Sequence, residues 1–129
     1  MSTQSASVSS DFSATPVVNG DEVTVTLMGT GDMAAVVPLE RCLSYVHELV
    51  LSRELRAAII DVSALYLLNS SCLKAFISLI HRNIATKRRY VIRFVVDGRL
   101  AWQERTLGVL TRMAPDLVSV LPKVAGPAR

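Results

Sequence analysis

Residues 57–84 read AAIIDVSALYLLNSSCLKAFISLIHRNI, and this stretch decides the fold. It opens with a short apolar run that ends at Asp61 and shows no alternation, which is typical of a strand covered on both faces inside a parallel or mixed sheet. A loop is predicted from there to Asn69. From Ser70 to about Thr86 the apolar residues recur at three- and four-residue steps, which predicts an amphipathic helix that packs on the sheet. The stretch therefore predicts a central strand, a loop and a helix in succession.

The rest of the chain continues this alternation of strands and helices. Further strands are predicted at residues 23–28, near an edge of the sheet, at 89–96 and at 118–121, and further helices at 36–51 and 100–113. Strands that alternate with helices are typical of βαβ crossovers. The fold class is therefore predicted as α/β, with a mixed β-sheet of about four to five strands and helices packed on it.

A chain of 129 residues fits a single domain with a sizeable core. We expect a flexible N-terminal tail at residues 1–15, the domain at 16–122 and a C-terminal tail at 123–129. The apolar runs are too short to cross a bilayer, and the serine-rich start has neither the basic residues nor the apolar run of a secretory signal. These features predict a cytoplasmic protein without membrane insertion.

The net charge of +3 hides an asymmetry along the chain. Residues 1–73 hold 8 acidic and 3 basic side chains, whereas residues 74–112 hold 2 acidic and 9 basic ones. The basic part favours an acidic partner or simply keeps the protein in solution. The basic run 87–89 also complements the dipole of the preceding helix, and because few aromatic residues surround it we do not expect nucleic-acid binding.

The start of the second helix carries the polar run Asn69-Ser70-Ser71. Asparagine and serine are preferred residues at helix starts, so one interpretation is that the run only caps the helix. The free N–H groups and the dipole at a helix start also favour an anion, so a phosphate added to a serine there is tolerated by the fold. The two roles are compatible.

The run from Asp61-Val62-Ser63 to Asn69-Ser70-Ser71-Cys72-Leu73 resembles the signature of the STAS family, the sulfate transporter and anti-sigma factor antagonist domains. That signature reads Asp-Leu-Ser, a few apolar residues, then Asp-Ser-Ser-Gly-Leu-Gly-Ala. The resemblance implies the same α/β architecture, and it places Ser70 at the phosphoacceptor position with Ser71 as the reserve. Asn69 replaces the family's usual aspartate and Cys72 replaces a glycine. The family's C-terminal helix is expected to be absent here, because too few residues follow the last predicted strand.

The resemblance also implies a function. The chain is expected to be a bacterial, non-enzymatic phosphoprotein of signal transduction, which binds a serine kinase of the anti-sigma type and is restored by a phosphatase. The expected partner contacts lie at the helix start and at the loop beside it, and they comprise Asn69, Ser70, Ser71, Cys72, Lys74, Gly31 and Asp32. The alternative is a constitutive STAS structural subunit of a transporter ATPase or signalling scaffold that is not phosphorylated. Whether the domain forms a homodimer is left open.

Other chemistry is not indicated by the sequence. Cys42 and Cys72 lack the spacing of a zinc or redox motif and are expected to be packed, reduced thiols. His47 and His81 are expected on polar helix faces, without acidic or cysteine neighbours at metal-ligand spacing. We therefore predict no metal, no cofactor and no catalytic residue.

Three further features receive structural interpretations. The run 29–32 lacks the third glycine of a dinucleotide fingerprint, so it is predicted to be a turn that leads into the first helix. Asp61 is expected to accept a hydrogen bond from the N–H of Ser63 and so to hold the loop. Trp102 is expected to fill the core rather than a cofactor site.

Overall fold

One six-stranded sheet organises the chain in the computed structural model, which describes residues 7–9 and 11–123. The strands follow one another across the sheet in chain order. They are β1 (Ser7–Ser9), β2 (Phe12–Asn19), β3 (Glu22–Gly31), β4 (Ala57–Leu68), β5 (Val91–Val96) and β6 (Val118–Pro122). The helices are α1 (Val36–Arg53), preceded by a 3₁₀ turn (Met33–Ala35), α2 (Ser70–Ala85) and α3 (Ala101–Thr111). The first three strands pair antiparallel and β3 to β6 pair parallel.

All three helices pack on one face of the sheet. Parallel strands that are added in order by right-handed crossovers carry their connecting helices on the same side. The burial pattern agrees, because alternate residues such as Ile92, Phe94 and Val96 join the helices in a single core. The intervening residues, for example Ile59 and Asp61 of β4, are only partly buried. The prediction that the central strand is covered on both faces is therefore wrong: it is interior to the sheet but covered on one face.

The first part of the chain was predicted incorrectly. Residues 12–15 belong to β2, and Phe12 and Ala14 lie in the core, so the predicted tail does not extend to residue 15. The hairpin between β2 and β3 turns at Gly20 and Asp21, where Gly20 has a φ of 65°. Because β1 and β2 precede it, β3 is interior rather than near an edge, and the sheet has six strands rather than four to five. Residues 1–6 and 10 lie outside the described part of the chain.

The structure also differs from the prediction at the irregular end of β4. The predicted loop before Asn69 is strand as far as Leu68, and the run 29–31, predicted as a turn, is the strand end that pairs with it. Thr26 pairs with Asp61 but Met28 with Ala64, so β4 holds one extra residue there. A second extra residue, Tyr66, lies between the pairs that join Gly29 to Leu65 and Thr30 to Leu67. Such bulges break the alternation from which a strand is recognised in sequence.

The helix predictions are close to the observed bounds, and α2 begins at Ser70 as predicted. Trp102 is partly buried against the core, in agreement with its predicted role. The described chain ends at Lys123, directly after β6, and residues 124–129, on which the predicted tail and the missing C-terminal helix depend, lie outside it. No helix within residues 7–9 and 11–123 has the length and apolar character needed to cross a membrane.

Two polar side chains of the helices lie in the core, although His47 was predicted on a polar helix face. His47 of α1 is 4% exposed, and its Nδ1 lies 2.7 Å from the hydroxyl of Tyr90. Asn83 of α2 is fully buried, donates to the carbonyl of Tyr90 at 2.7 Å and accepts from its N–H at 3.0 Å. The prediction for His47 is wrong because Tyr90 supplies a partner for its buried ring, as it also does for the amide of Asn83. His81 is exposed, as expected.

Candidate functional site

The start of α2 is capped by Asn69. Its backbone is extended, with φ −82° and ψ 172°, and its side-chain oxygen accepts the N–H of Cys72 at 2.8 Å. Its own N–H donates to the carbonyl of Gly31 at 2.8 Å, which ties the helix start to the end of β3. Asparagine at this position satisfies one of the free N–H groups of the first turn, as N-cap residues do. The helix start is therefore fixed without either serine.

Ser70 is the first residue of α2, and its side chain is exposed. Its hydroxyl makes no hydrogen bond to any residue in the described part of the chain. Ser71 is half-buried next to it, and Lys74 is exposed one turn later on the same helix. A hydroxyl at this position, in a helix whose cap is already supplied, is open to solvent and to another protein.

Two of the predicted contact residues are buried. Cys72 is 0% exposed, and its thiol lies 3.6 Å from the carbonyl oxygen of Asp32. Gly31 is buried at the end of β3, where an added Cβ would lie 2.8 Å from the carbonyl oxygen of Leu67. Cys72 is covered by the segment after β3 and Gly31 by the end of β4, so neither presents a side chain at the surface, and their contact with a partner stays a prediction. Asp32 is half-exposed and caps the 3₁₀ turn by accepting the N–H of Ala34 at 3.1 Å.

The thiols are packed and reduced, as predicted. Burial raises the pKa of the Cys42 thiol to about 12. Burial, followed by the charges of Asp32 and Glu40, also raises the pKa of Cys72. Neither sulfur is therefore a ready nucleophile at neutral pH.

The hydrogen bond predicted between Ser63 and Asp61 is present, although both residues lie in β4 rather than in a loop. The Asp61 carboxylate accepts the N–H of Ser63 at 2.9 Å and its hydroxyl at 2.6 Å. Lys123 places its ammonium 3.4 Å from the same carboxylate. Asp61 thus stabilises the first bulge of the strand that leads to α2.

A buried glutamine from α3 holds the same part of β4. Gln103 is 0% exposed, and its Nε2 donates to the carbonyls of Val62 at 2.9 Å and Leu65 at 3.0 Å. Its Oε1 accepts the N–H of Asp97 at 2.7 Å. Gln103 was not among the residues predicted for the site. The available signal was that Gln103, rather than Trp102, is in helical register with Leu107 and Leu110 on the buried side of α3.

Exposed apolar side chains lie at the strand ends next to the start of α2. Tyr66 is 79% exposed and Leu67 is 50% exposed at the end of β4, and Met33 is 69% exposed directly after β3. The β3–β4 pairing and the contact of Cys72 with Asp32 bring these strand ends to the amino end of α2. We call Met33, Tyr66, Leu67, Ser70 and Lys74 the β4–α2 surface.

Comparison with solved structures identifies the fold. An anti-sigma factor antagonist from Mycobacterium paratuberculosis superimposes with a TM-score of 0.67 and 20% sequence identity, over 92% of this chain and 92% of that one. The chain has the anti-sigma factor antagonist fold. The predicted STAS-like α/β architecture is therefore confirmed. No protein-family model and no curated protein matches the sequence.

In this antagonist fold the β4–α2 surface lies at the carboxyl ends of the parallel strands, where helices begin and where α/β proteins commonly bind their ligands. No group of three or more His, Cys, Asp or Glu side chains within residues 7–9 and 11–123 has an arrangement suited to a metal ion. The surface instead combines a free hydroxyl, one ammonium group and exposed apolar side chains. Such a combination suits contact with another protein.

Proposed function

We propose that this chain is a non-enzymatic regulator that binds an anti-sigma-type protein with serine kinase activity, and that phosphorylation of Ser70 controls the binding. The observation that carries the proposal is the exposed Ser70 hydroxyl at the first position of α2, beside a cap that Asn69 supplies. ATP and Mg²⁺ would belong to the partner, and a phosphatase would reverse the modification. The anti-sigma factor antagonist fold supports the choice of partner.

The physics of a phosphate at Ser70 supports a switch that leaves the domain folded. A phosphate brings about −1.5 to −2 charges at pH 7, and the dipole and free N–H groups of a helix start favour such an anion. Lys74, one turn later, adds a positive charge on the same helix. The domain is therefore expected to accept the modification without rearrangement.

A partner seated on the β4–α2 surface would respond differently. Tyr66, Leu67 and Met33 present exposed apolar area at the strand ends that meet the start of α2. A dianion buried in such an interface without a partner charge is costly, because it loses its hydration. Phosphorylation is therefore expected to release the partner.

The test uses the ATP-binding anti-sigma-type protein encoded closest to this chain in its genome. Incubation with that protein and ATP, followed by mass spectrometry, is expected to find phosphate on Ser70. Ser70→Ala should remove the phosphate, whereas Ser71→Ala and Ser78→Ala should keep it; Ser78 is the matched control because it is also exposed on α2. The modified protein is expected to bind the partner at least about tenfold more weakly. Absence of phosphate from both Ser70 and Ser71 would reject the switch.

One observation favours the alternative of a constitutive subunit of a transporter ATPase or scaffold. Asn69 completes the cap and brings no charge next to Ser70, whereas the family signature has an aspartate there. A Ser70→Asp variant that binds its partner as the wild type does would support this alternative. Cytoplasmic location and the absence of a cofactor stay predictions in either case.

A further inference from the structure

The end of β4 lacks a strand on one side. β4 pairs with β5 only as far as Asp61, which lies opposite Val95, and it then continues to Leu68 beside β3 alone. Carbonyl groups on the side of β5 therefore need donors from elsewhere, because an unpaired buried carbonyl destabilises the fold. Val62 and Leu65 are each 1% exposed, so water does not replace the missing strand.

Gln103 supplies the missing donors. One carboxamide nitrogen donates to both the Val62 and the Leu65 carbonyls, at 2.9 and 3.0 Å; Val62 lies in the first bulge and Leu65 follows it. The carboxamide oxygen accepts the N–H of Asp97 at 2.7 Å. The same side chain thus joins the turn after β5 to the irregular part of β4. A single buried side chain of α3 thus replaces two ladder hydrogen bonds of β4.

We propose that Gln103 is a positioning residue for the β4–α2 surface; this inference rests on the proposed function, in which the partner binds to that surface. Gln103 is fully buried and acts through the backbone of β4 without contacting the partner. Leu65, whose carbonyl it holds, is followed at once by the second bulge, where Tyr66 turns out to solvent. Ser70 follows five residues after Leu65. The orientation of Tyr66, Leu67 and Ser70 toward a partner therefore depends on the hydrogen bond from Gln103 to the Leu65 carbonyl.

Asn83, a second buried amide in the described part of the chain, offers a matched control. Asn83 is also fully buried and makes two hydrogen bonds to a neighbouring segment, against three for Gln103, but it holds Tyr90 at the opposite end of α2. Asn83→Leu removes a comparable number of buried hydrogen bonds and leaves the end of β4 intact. It separates a local effect on the β4–α2 surface from a general loss of stability.

Amide hydrogen exchange of the free protein tests the positioning without any partner. Gln103→Met keeps the size of the side chain and removes its donors, and it should speed exchange at residues 62–71 at least about tenfold. Asn83→Leu should speed exchange around residues 83–91 and leave residues 62–71 close to the wild type. If Gln103→Met fails to fold by circular dichroism, Gln103→Glu is used, since it keeps the acceptor for Asp97 and loses the amide donors. Equal exchange at 62–71 in the Gln103 and Asn83 variants would overturn the proposal.

Phosphorylation by the partner kinase provides the readout that a merely structural role would not change. The Gln103 variant should be phosphorylated on Ser70 at least about tenfold more slowly than the Asn83 variant, because Ser70 is presented incorrectly. Equal rates in the two variants would overturn the positioning role while leaving the switch in place. A wild-type protein that is not phosphorylated rejects the proposed function itself, so the two failures are told apart.

Discussion

The side-chain oxygen of Asn69 accepts the N–H of Cys72 at 2.8 Å, and this bond caps α2 with the residue just before the candidate switch. Asparagine, not serine, is thus the residue on which the helix start depends. Cys72 in turn is fully buried with its thiol 3.6 Å from the carbonyl of Asp32, so the capped turn is held against the end of β3. The structural task and the proposed regulatory task fall on adjacent residues, which allows them to be tested separately.

Asn69→Ala should lower the free energy of unfolding by about 1 kcal/mol, because the Cys72 N–H loses its acceptor. Asn69→Asp should keep the stability, since a carboxylate accepts the same bond and favours the helix dipole. Ser70→Ala serves as the control and should change stability by less than about 0.5 kcal/mol. Urea unfolding measures all three. A Ser70→Ala protein as unstable as Asn69→Ala would show that the serine shares the cap.

Tyr66→Ala should weaken binding of the partner by about tenfold or more, because exposed aromatic side chains commonly anchor protein interfaces. Its effect on stability should be small, since the ring is 79% exposed. Tyr45→Ala on α1 is the matched control, because this tyrosine is also exposed, at 47%, but lies outside the β4–α2 surface. Isothermal titration calorimetry with the partner measures the difference. Equal losses for the two variants would remove Tyr66 from the interface.

Gly29→Ala should destabilise the protein by at least about 2 kcal/mol. Gly29 has a φ of 100°, and an added Cβ would collide with the carbonyl oxygen of Asp11. Gly108→Ala is the opposite case, because Gly108 lies inside α3 and an added Cβ meets no atom within 4 Å. It should raise stability by about 0.5–1 kcal/mol, since alanine favours a helix over glycine. Thermal unfolding of the two variants should shift in opposite directions, and a tolerated Gly29→Ala would contradict the strained backbone.

The stability should fall as the pH is lowered from about 7.5 to 5.5. Burial, followed by the positive charge of Arg82, lowers the pKa of His47, and Glu48 only partly offsets this. The unfolded chain then takes up the proton more readily than the folded chain, so acid favours unfolding below the ordinary histidine pKa of 6.5. Urea unfolding at several pH values should show a flatter dependence for His47→Gln.

His81→Gln provides the control for this pH dependence. His81 is exposed on α2, so its replacement should leave the slope of the wild type. The interpretation would be contradicted if His47→Gln kept the full slope. A slope that disappeared only in His81→Gln would contradict it as well.

Features that depend on neighbours in sequence were predicted well. The period of the apolar residues and the cap preference of Asn69 are local, so the start of α2 at Ser70 followed from the chain itself. The hydrogen bond between Asp61 and Ser63 spans two residues and was predicted for the same reason. The helix start at Ser70 and the hydrogen bond that holds the preceding strand were therefore predictable from the sequence. The phosphorylation of Ser70 stays a prediction.

Features that depend on distant partners were missed. Gln103, Asn83 and His47 are polar residues whose burial is possible only because carbonyls, an N–H or a hydroxyl from other elements meet them. The second half of β4 was predicted as a loop, because its bulges interrupt the alternation of buried and exposed residues by which a strand is recognised.

The sequence by itself determined the alternation of strands and helices and the point where α2 begins, because both depend on side-chain periodicity and on bonds within a few residues. The tertiary structure alone decided which face of the sheet is covered, that residues 12–15 join the core, and that Cys72 is hidden while Ser70 is exposed. These outcomes follow from the packing of segments far apart in the chain. Whether a side chain is buried depends on how the sheet and the helices pack together, so it cannot be read from neighbouring residues in the sequence.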